Sequence, residues 1–138
     1  MFRTLVIALV LAGPALAQDV EALMAESLGA NPLASYWLPD NPDPAAATEA
    51  IGVEYIEIEG AAGNFNIFPG YFQKGGDGFA FIGEVTELYG SEPRDPLFLA
   101  DNIELTTTMP KPDDPRCCPT GIARWSIDRK SLAAKRIE

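Results

Sequence analysis

Apolar residues in this chain recur in three rhythms, and each rhythm predicts a different element. The first is a continuous run, Leu5 to Ala12, within MFRTLVIALVLAGPALA. Arg3 precedes it, and the Gly13-Pro14 break and Ala15-Leu16-Ala17 follow. A positive start, a short apolar stretch and a small-x-small end form the order of a secretory signal peptide, here residues 1–17, cleaved before Gln18. The run falls short of the ~20 residues that cross a bilayer as a helix, which argues against a retained anchor. The second rhythm is helical. Val20, Leu23, Met24 and Leu28 fall at i, i+3, i+4 spacing behind Asp19, which predicts a short capped helix ended by Gly29 and Pro32. Pro39-Asp40-Asn41-Pro42-Asp43-Pro44 then reads as an irregular connector, so residues 18–50 are expected to be a short helix and a linker.

From Ile51 the period shifts towards two, and residues 51–138 are expected to form a β-rich domain. Glu54 to Glu59 reads as a strand with Ile56 and Ile58 on one face. Val53 and Tyr55 are out of phase with that pair, which predicts a bulge or an early edge. Gly60-Ala61-Ala62-Gly63 and Pro69-Gly70 read as turns, and Gly75-Gly76-Asp77-Gly78 as a hairpin loop. Phe79, Phe81, Val85 and Tyr89 are expected on one strand face, with Gly83 marking a bulge or bend. Asp101-Asn102 reads as a tight hairpin, because both residues tolerate positive φ. Ala123, Trp125 and Ile127 alternate as a strand, and Ser131 to Glu138 is assigned as its partner rather than as a helix. The sum is mainly β: an antiparallel meander of six or seven strands forming a small barrel or sandwich, with one short N-terminal helix.

Charge narrows the partners. Between Gln18 and Pro115 there are 18 acidic and 3 basic residues; from Arg116 onward there are 6 basic and 2 acidic. The full chain carries a formal charge of −10. Such a surface does not suit nucleic acid or anionic lipid, whose recognition requires phosphate neutralisation. Another protein of the cell envelope is the expected partner. No membrane insertion is expected after signal cleavage, and the expected location is periplasmic or secreted. A basic patch of Arg116, Arg124, Arg129 and Arg136 is the sharper alternative to an ordinary solvated surface.

The candidate chemistry is thin. The chain has no histidine, which removes Ser-His-Asp and Cys-His catalysis and imidazole-held zinc or haem. Glu54, Glu57, Glu59, Glu84 and Glu87 have the spacing of strand faces turned to water rather than of an acid/base pair. Ser131 beside Lys130 and Lys135 is no better than chance as a nucleophile pair, and the glycines at 75, 76 and 78 complete no phosphate-binding signature. The connector's Asp and Asn residues lack calcium-loop spacing. No enzyme activity, cofactor or metal site is therefore expected. Phe65, Phe68, Tyr71, Phe72, Phe79 and Phe81 crowd into 17 residues. Most are expected to fill the core, and a minority to line an apolar groove, with Tyr36 and Trp37 on the same surface.

Asp113-Asp114-Pro115-Arg116-Cys117-Cys118-Pro119-Thr120 is the most informative stretch, because it holds the chain's only two cysteines side by side. Neighbouring Cα atoms lie about 3.8 Å apart, below the ~4.4–6.8 Å of ordinary disulfides, so a bridge here would close a small strained ring. Pro115 and Pro119 restrict the backbone to turn-like forms, and the Cys118-Pro119 bond is a candidate for the cis form. Four readings stay open: a structural turn staple or buried pair, a bridge to a partner, redox exchange, and metal binding, the last weakened by the lack of further ligands. Arg116, Arg124, Trp125, Tyr71 and Phe72 are the candidate contact residues around this corner.

The segment Asp114-Pro115-Arg116-Cys117-Cys118-Pro119-Thr120, followed by Arg124-Trp125, resembles the C-terminal motif of bacterial exported proteins of the LppP/LprE lipoprotein type and of loosely related exported proteins of unknown function. The likeness spans about Ile103 to the end. It implies an envelope location and supplies no catalytic residues, and this chain lacks the lipidation cysteine of the lipoprotein members. The expected function is a non-enzymatic exported module with a binding or assembly role. A thiol-disulfide accessory protein acting through Cys117 and Cys118, or a small-ligand carrier, is the alternative.

Overall fold

The computed structural model describes residues 18–60 and 64–138. The assigned signal peptide and positions 61–63 of the expected turn lie outside them. Asp19 starts the helix as expected: its Oδ1 accepts the Ala22 N–H at 3.0 Å, and α1 runs Val20–Ser27. Eight strands follow: β1 Ala34–Pro39, β2 Glu49–Glu57, β3 Phe65–Gly75, β4 Gly78–Glu84, β5 Ser91–Phe98, β6 Asn102–Met109, β7 Gly121–Asp128 and β8 Ala134–Arg136. They form two antiparallel four-stranded meanders, ordered β1-β2-β3-β4 and β5-β6-β7-β8. The protein is mainly β, and the two sheets face one another without closing into a barrel. No helix among the described residues is long and apolar enough to cross a membrane.

Alternation along the strands builds the inner core. Ile51, Val53, Tyr55 and Tyr71 from the first sheet pack with Ile103, Leu105, Ala123, Trp125 and Ile127 from the second. A second apolar layer lies on the outer face of the first sheet. There Met24 of α1 meets Ala47, Ala50, Phe72 and Phe79, with Trp37 edge-on to both phenylalanines at 5.1 and 5.0 Å. Burying a side chain such as Phe72 contributes about 1.5–3 kcal/mol, so the helix is held mainly by this contact rather than by its own propensity.

That second layer explains several departures from the sequence reading. Strand β2 has no bulge: its registers with β1 and β3 are unbroken. Both of its faces are dry from Ala50 to Tyr55, because α1 covers the outer one, and Ile58 lies beyond the strand end. The segment read as helix and linker contributes β1, which pairs with β2 from Ala34↔Tyr55 to Pro39↔Ala50. The stretch after Pro39 is irregular. Its Asp and Asn carboxyl and carboxamide oxygens accept from local backbone N–H groups, as Asp40 does from Thr48 at 2.8 Å.

Pro69-Gly70 is not a turn but the middle of β3. Pro69 C=O accepts the Val85 N–H at 2.9 Å, so the missing proline N–H points to that same side, where β4 has ended, and the β2 ladder is undisturbed. The bulge expected at Gly83 is present one residue away. Tyr71 pairs with Gly83 and Phe72 with Phe81, leaving Ile82 over. That extra residue reverses the alternation, so Phe79 packs under α1 while Val85 enters the inter-sheet core. The four residues expected on one face are thereby split. The hairpin between β5 and β6 is present, with Leu99 N–H bonded to Asn102 C=O, but neither Asp101 nor Asn102 has positive φ. Left-handed backbone falls instead at Glu87, Glu92 and Asp95.

Side-chain and backbone ties lock the two sheets at their edges. Thr86 bridges Ala133 between the end of the first sheet and the β7–β8 turn. Arg129 grips Glu49 through two hydrogen bonds, 2.6 and 3.2 Å, from the second sheet to the first.

Candidate functional site

The β6–β7 connection is the cysteine corner. Met109↔Gly121 closes its base, and residues 110–120 loop outward. Asp114 organises the loop: its carboxylate accepts the backbone N–H groups of Lys111 at 2.8 Å and Thr120 at 2.7 Å, and the Thr120 hydroxyl as well. Those backbone bonds, first Lys111 and then Thr120, hold the Asp114 carboxyl below its ordinary value. Within this frame the Cys118 N–H bonds to Pro115 C=O at 3.0 Å, forming a turn. The two cysteine sulfurs lie at disulfide distance, and the pair is bridged within itself. All peptide bonds among the described residues are trans, including Cys118-Pro119. Both cysteines are exposed, so the pair is not a buried one.

The candidate contact residues do not gather there. Arg116 and Pro115 are exposed on the loop and Pro119 is partly covered. Arg124 lies on the outer face of β7, paired to Glu104 at 3.3 Å and donating to Asp95 C=O and Thr106 Oγ1. Arg129 is committed to Glu49, and that hydrogen bond raises its pKa. Arg136 donates to the Glu138 carbonyl. The expected basic patch is thus divided among separate partners, with Arg116 alone unpaired among the described residues. Trp125 (5% exposed), Tyr71 (4%) and Phe72 (0%) are core residues, which corrects their reading as contact residues. Tyr36 and Trp37 point to opposite faces of β1, the first onto Tyr55 and the second under α1, and so share no surface.

Two features escaped the sequence reading. At one end of the sandwich, a cleft of about 540 Å³ opens between the β3 entry and the segment leading into β5. Phe65 and Tyr89 stand in it about half exposed. A minority of the aromatic cluster was expected to line a groove, and Phe65 and Phe68 do; Tyr89 was placed on a strand face instead. The other feature is Glu54. Its spacing reads as solvated, but it is fully enclosed, and neither carboxylate oxygen has a hydrogen-bond partner among the described residues. Burial pushes its pKa up. Its face of β2 also carries Ala50 and Gly52, and a Cβ on Gly52 would meet Phe72 at 2.8 Å and the Met24 sulfur at 2.9 Å. Two small residues in phase with a glutamate signal that another element presses on that face.

No group of three or more His, Cys, Asp or Glu side chains among the described residues is arranged to hold a metal ion. Compared with known proteins, the chain matches no family model, no curated protein and no solved structure.

Proposed function

We propose that this protein is an exported, non-enzymatic β-rich module, periplasmic in a bacterial envelope, that binds or assembles with another envelope protein through its cysteine corner. The observation that carries the reading is the exposed, self-bridged pair Cys117–Cys118 on a loop already ordered by Asp114. A bridge between neighbours closes almost no loop, so it restricts the unfolded chain very little. Being exposed, it buries no core either. What remains is a fixed outward shape with the Arg116 guanidinium beside it, and preorganised shape lowers the ordering cost of binding. The pattern of residues 1–17 and the likeness of the corner to LppP/LprE-type exported proteins support the location.

The test combines location and partner. Expressed with residues 1–17 in a host with a periplasm, the protein should be processed before Gln18 and recovered from the periplasmic fraction. Cross-linked in its native envelope, the wild type should retain a partner that the Cys117→Ser, Cys118→Ser double variant loses while keeping its unfolding midpoint. Retention of the same partner by the double variant refutes the role assigned to the corner.

Exposure of the bridge also favours a second reading, in which thiols of other proteins exchange with it. A reduction potential within roughly −230 to −120 mV, the range of glutaredoxins, disulfide isomerase and DsbA-type oxidants, with rapid exchange, would establish that role. A much more negative potential supports the shaped corner.

A further inference from the structure

The cleft at the end of the sandwich has the size of a small-molecule site, about 540 Å³ against the usual ~300–1,000 Å³. Its walls are Phe65 and Ile67 from β3 and Tyr89, Ser91, Thr108 and Pro110 from the other side. Phe65 is 46% exposed and Tyr89 50%, yet each is set edge-on to a buried ring, Tyr55 at 5.2 Å and Trp125 at 6.0 Å. These rings are held in place rather than left loose on the surface.

The interior holds the Tyr89 segment by its backbone. The Tyr55 hydroxyl donates to Gly90 C=O at 2.8 Å. Thr107 Oγ1 donates to Tyr89 C=O at 2.8 Å while accepting the Trp125 indole N–H at 2.8 Å. The same segment carries left-handed backbone at Glu87 (φ 60°), Gly90 (φ 99°) and Glu92 (φ 51°). Non-glycine residues in that region are strained, and folds retain such strain where the geometry is used.

The charges around the rings are mainly negative. Tyr89 donates its hydroxyl to Glu87 Oε2 at 2.9 Å, which occupies the phenol's polar end and enriches its π face. Glu92 Oε2 accepts from the Thr108 hydroxyl at 3.2 Å. Glu57 pairs in register with Phe65, so its side chain leaves the same face of the sheet at the cleft mouth. Two cations are near: Arg94, whose Nη1 is committed to Glu92 C=O and Thr108 Oγ1, and Lys111, next to Pro110. None of these charged groups, acidic or basic, lines the cleft itself; they stand around it, three carboxylates against two cations. Electron-rich ring faces within a predominantly acidic rim, on a chain of net charge −10, complement a positively charged apolar ligand.

We propose that this cleft binds a small organic cation of the quaternary-ammonium class, seated against the faces of Phe65 and Tyr89 with Glu57, Glu87 and Glu92 around it. The site is separate from the cysteine corner and does not depend on the role given to it.

Calorimetric and proton NMR titrations of the folded protein test the proposal, with choline and tetramethylammonium as probes. Their methyl resonances should move upfield and saturate, as they do over ring faces. The uncharged tert-butyl analogue of choline, with carbon in place of nitrogen, should bind about tenfold more weakly, the scale of a desolvated cation–π contact. Phe65→Ala and Tyr89→Ala should each weaken choline binding by a similar factor at an unchanged unfolding midpoint. Phe65→Leu and Tyr89→Leu keep bulk without a π face and serve where an alanine variant does not fold. Absence of saturable binding by both cations overturns the proposal. So does equal affinity for the neutral analogue, or undiminished choline binding by the folded ring variants.

Discussion

Glu54→Met replaces the enclosed carboxylate of β2 with a side chain of nearly the same length and no charge. In the wild type, both oxygens are shut off from solvent without a hydrogen bond from any described residue. Substitution series price an unpaired buried polar group at about 1–3 kcal/mol, more when it is ionised. The variant should therefore gain about 1–3 kcal/mol at neutral pH, or a Tm rise of about 4–12 °C at ~4 °C per kcal/mol for a domain of this size. Glu54→Gln removes the charge but leaves an amide unpaired, and should gain less.

The pH dependence supplies the sharper signature. Burial raises the folded-state pKa of Glu54 above its unfolded value, so the folded protein binds the proton more tightly. Its contribution to stability is fully present below the unfolded pKa and is lost as pH rises through the raised one. Asp114 and Asp128 behave oppositely. Backbone N–H bonds, from Lys111 in one and Ser131 in the other, lower their pKa values, so their contributions are lost as pH falls through the lowered values. Subtracting the wild-type profile from that of Glu54→Met cancels these common terms. In urea unfolding, the difference should be smallest near the ordinary carboxylate pKa of about 4 and grow as pH rises through the raised value. A Met variant no more stable than wild type at the upper end, or a difference that does not grow with pH, refutes the reasoning. Either result would mean that Glu54 has a compensating partner.

Three further outcomes follow from the packing. Gly52→Ala forces a Cβ against Phe72 and Met24 and should cost about 1–3 kcal/mol in denaturant unfolding, while Gly76→Ala, with open space around it, should stay within about 0.5 kcal/mol. Trp125→Phe removes the indole N–H from Thr107 Oγ1 and should lower stability by about 1–3 kcal/mol, read from the urea midpoint. A double-mutant cycle of Arg129→Ala and Glu49→Ala should give a coupling of about 1 kcal/mol that shrinks with added salt; zero coupling at low salt would show the inter-sheet pair to be inert.

The strands legible in the sequence are those with one dry face. In β7, the alternation of Ala123, Trp125 and Ile127 matches the buried positions, because the other face of that strand meets solvent or side chains of its own sheet. Asp19 likewise announced α1, since a cap acts within one turn and needs no tertiary context. The readings that failed share a different cause. Pro69 and Gly70 are strong local turn signals, but a neighbouring strand that ends early leaves the proline no bond to break, and β3 runs through them. β1 was hidden because its apolar residues serve two layers: Tyr36 and Leu38 turn to the inner core and Trp37 to the helix, so no polar face marks the alternation.

The candidate sites divide in the same way. The cysteine corner is written in seven consecutive residues, and local chemistry was enough to single it out, though not to decide between bridge and free thiols. The cleft is assembled from β3, the approach to β5 and the β6 exit, whose meeting depends on how the sheets stack; no local window contains it. Glu54 is the instructive intermediate case. Alternation assigned it to water because a glutamate between Val53 and Tyr55 ordinarily faces out. The outer face of this strand is dry only because α1 docks there, and the sign of docking stands two and four residues earlier, where Gly52 and Ala50 leave room for Met24 and Phe72. Small residues in phase with a charged one are therefore a tertiary signal: they report that the face is covered, and a carboxylate on a covered face must find a partner, hold its proton, or cost stability.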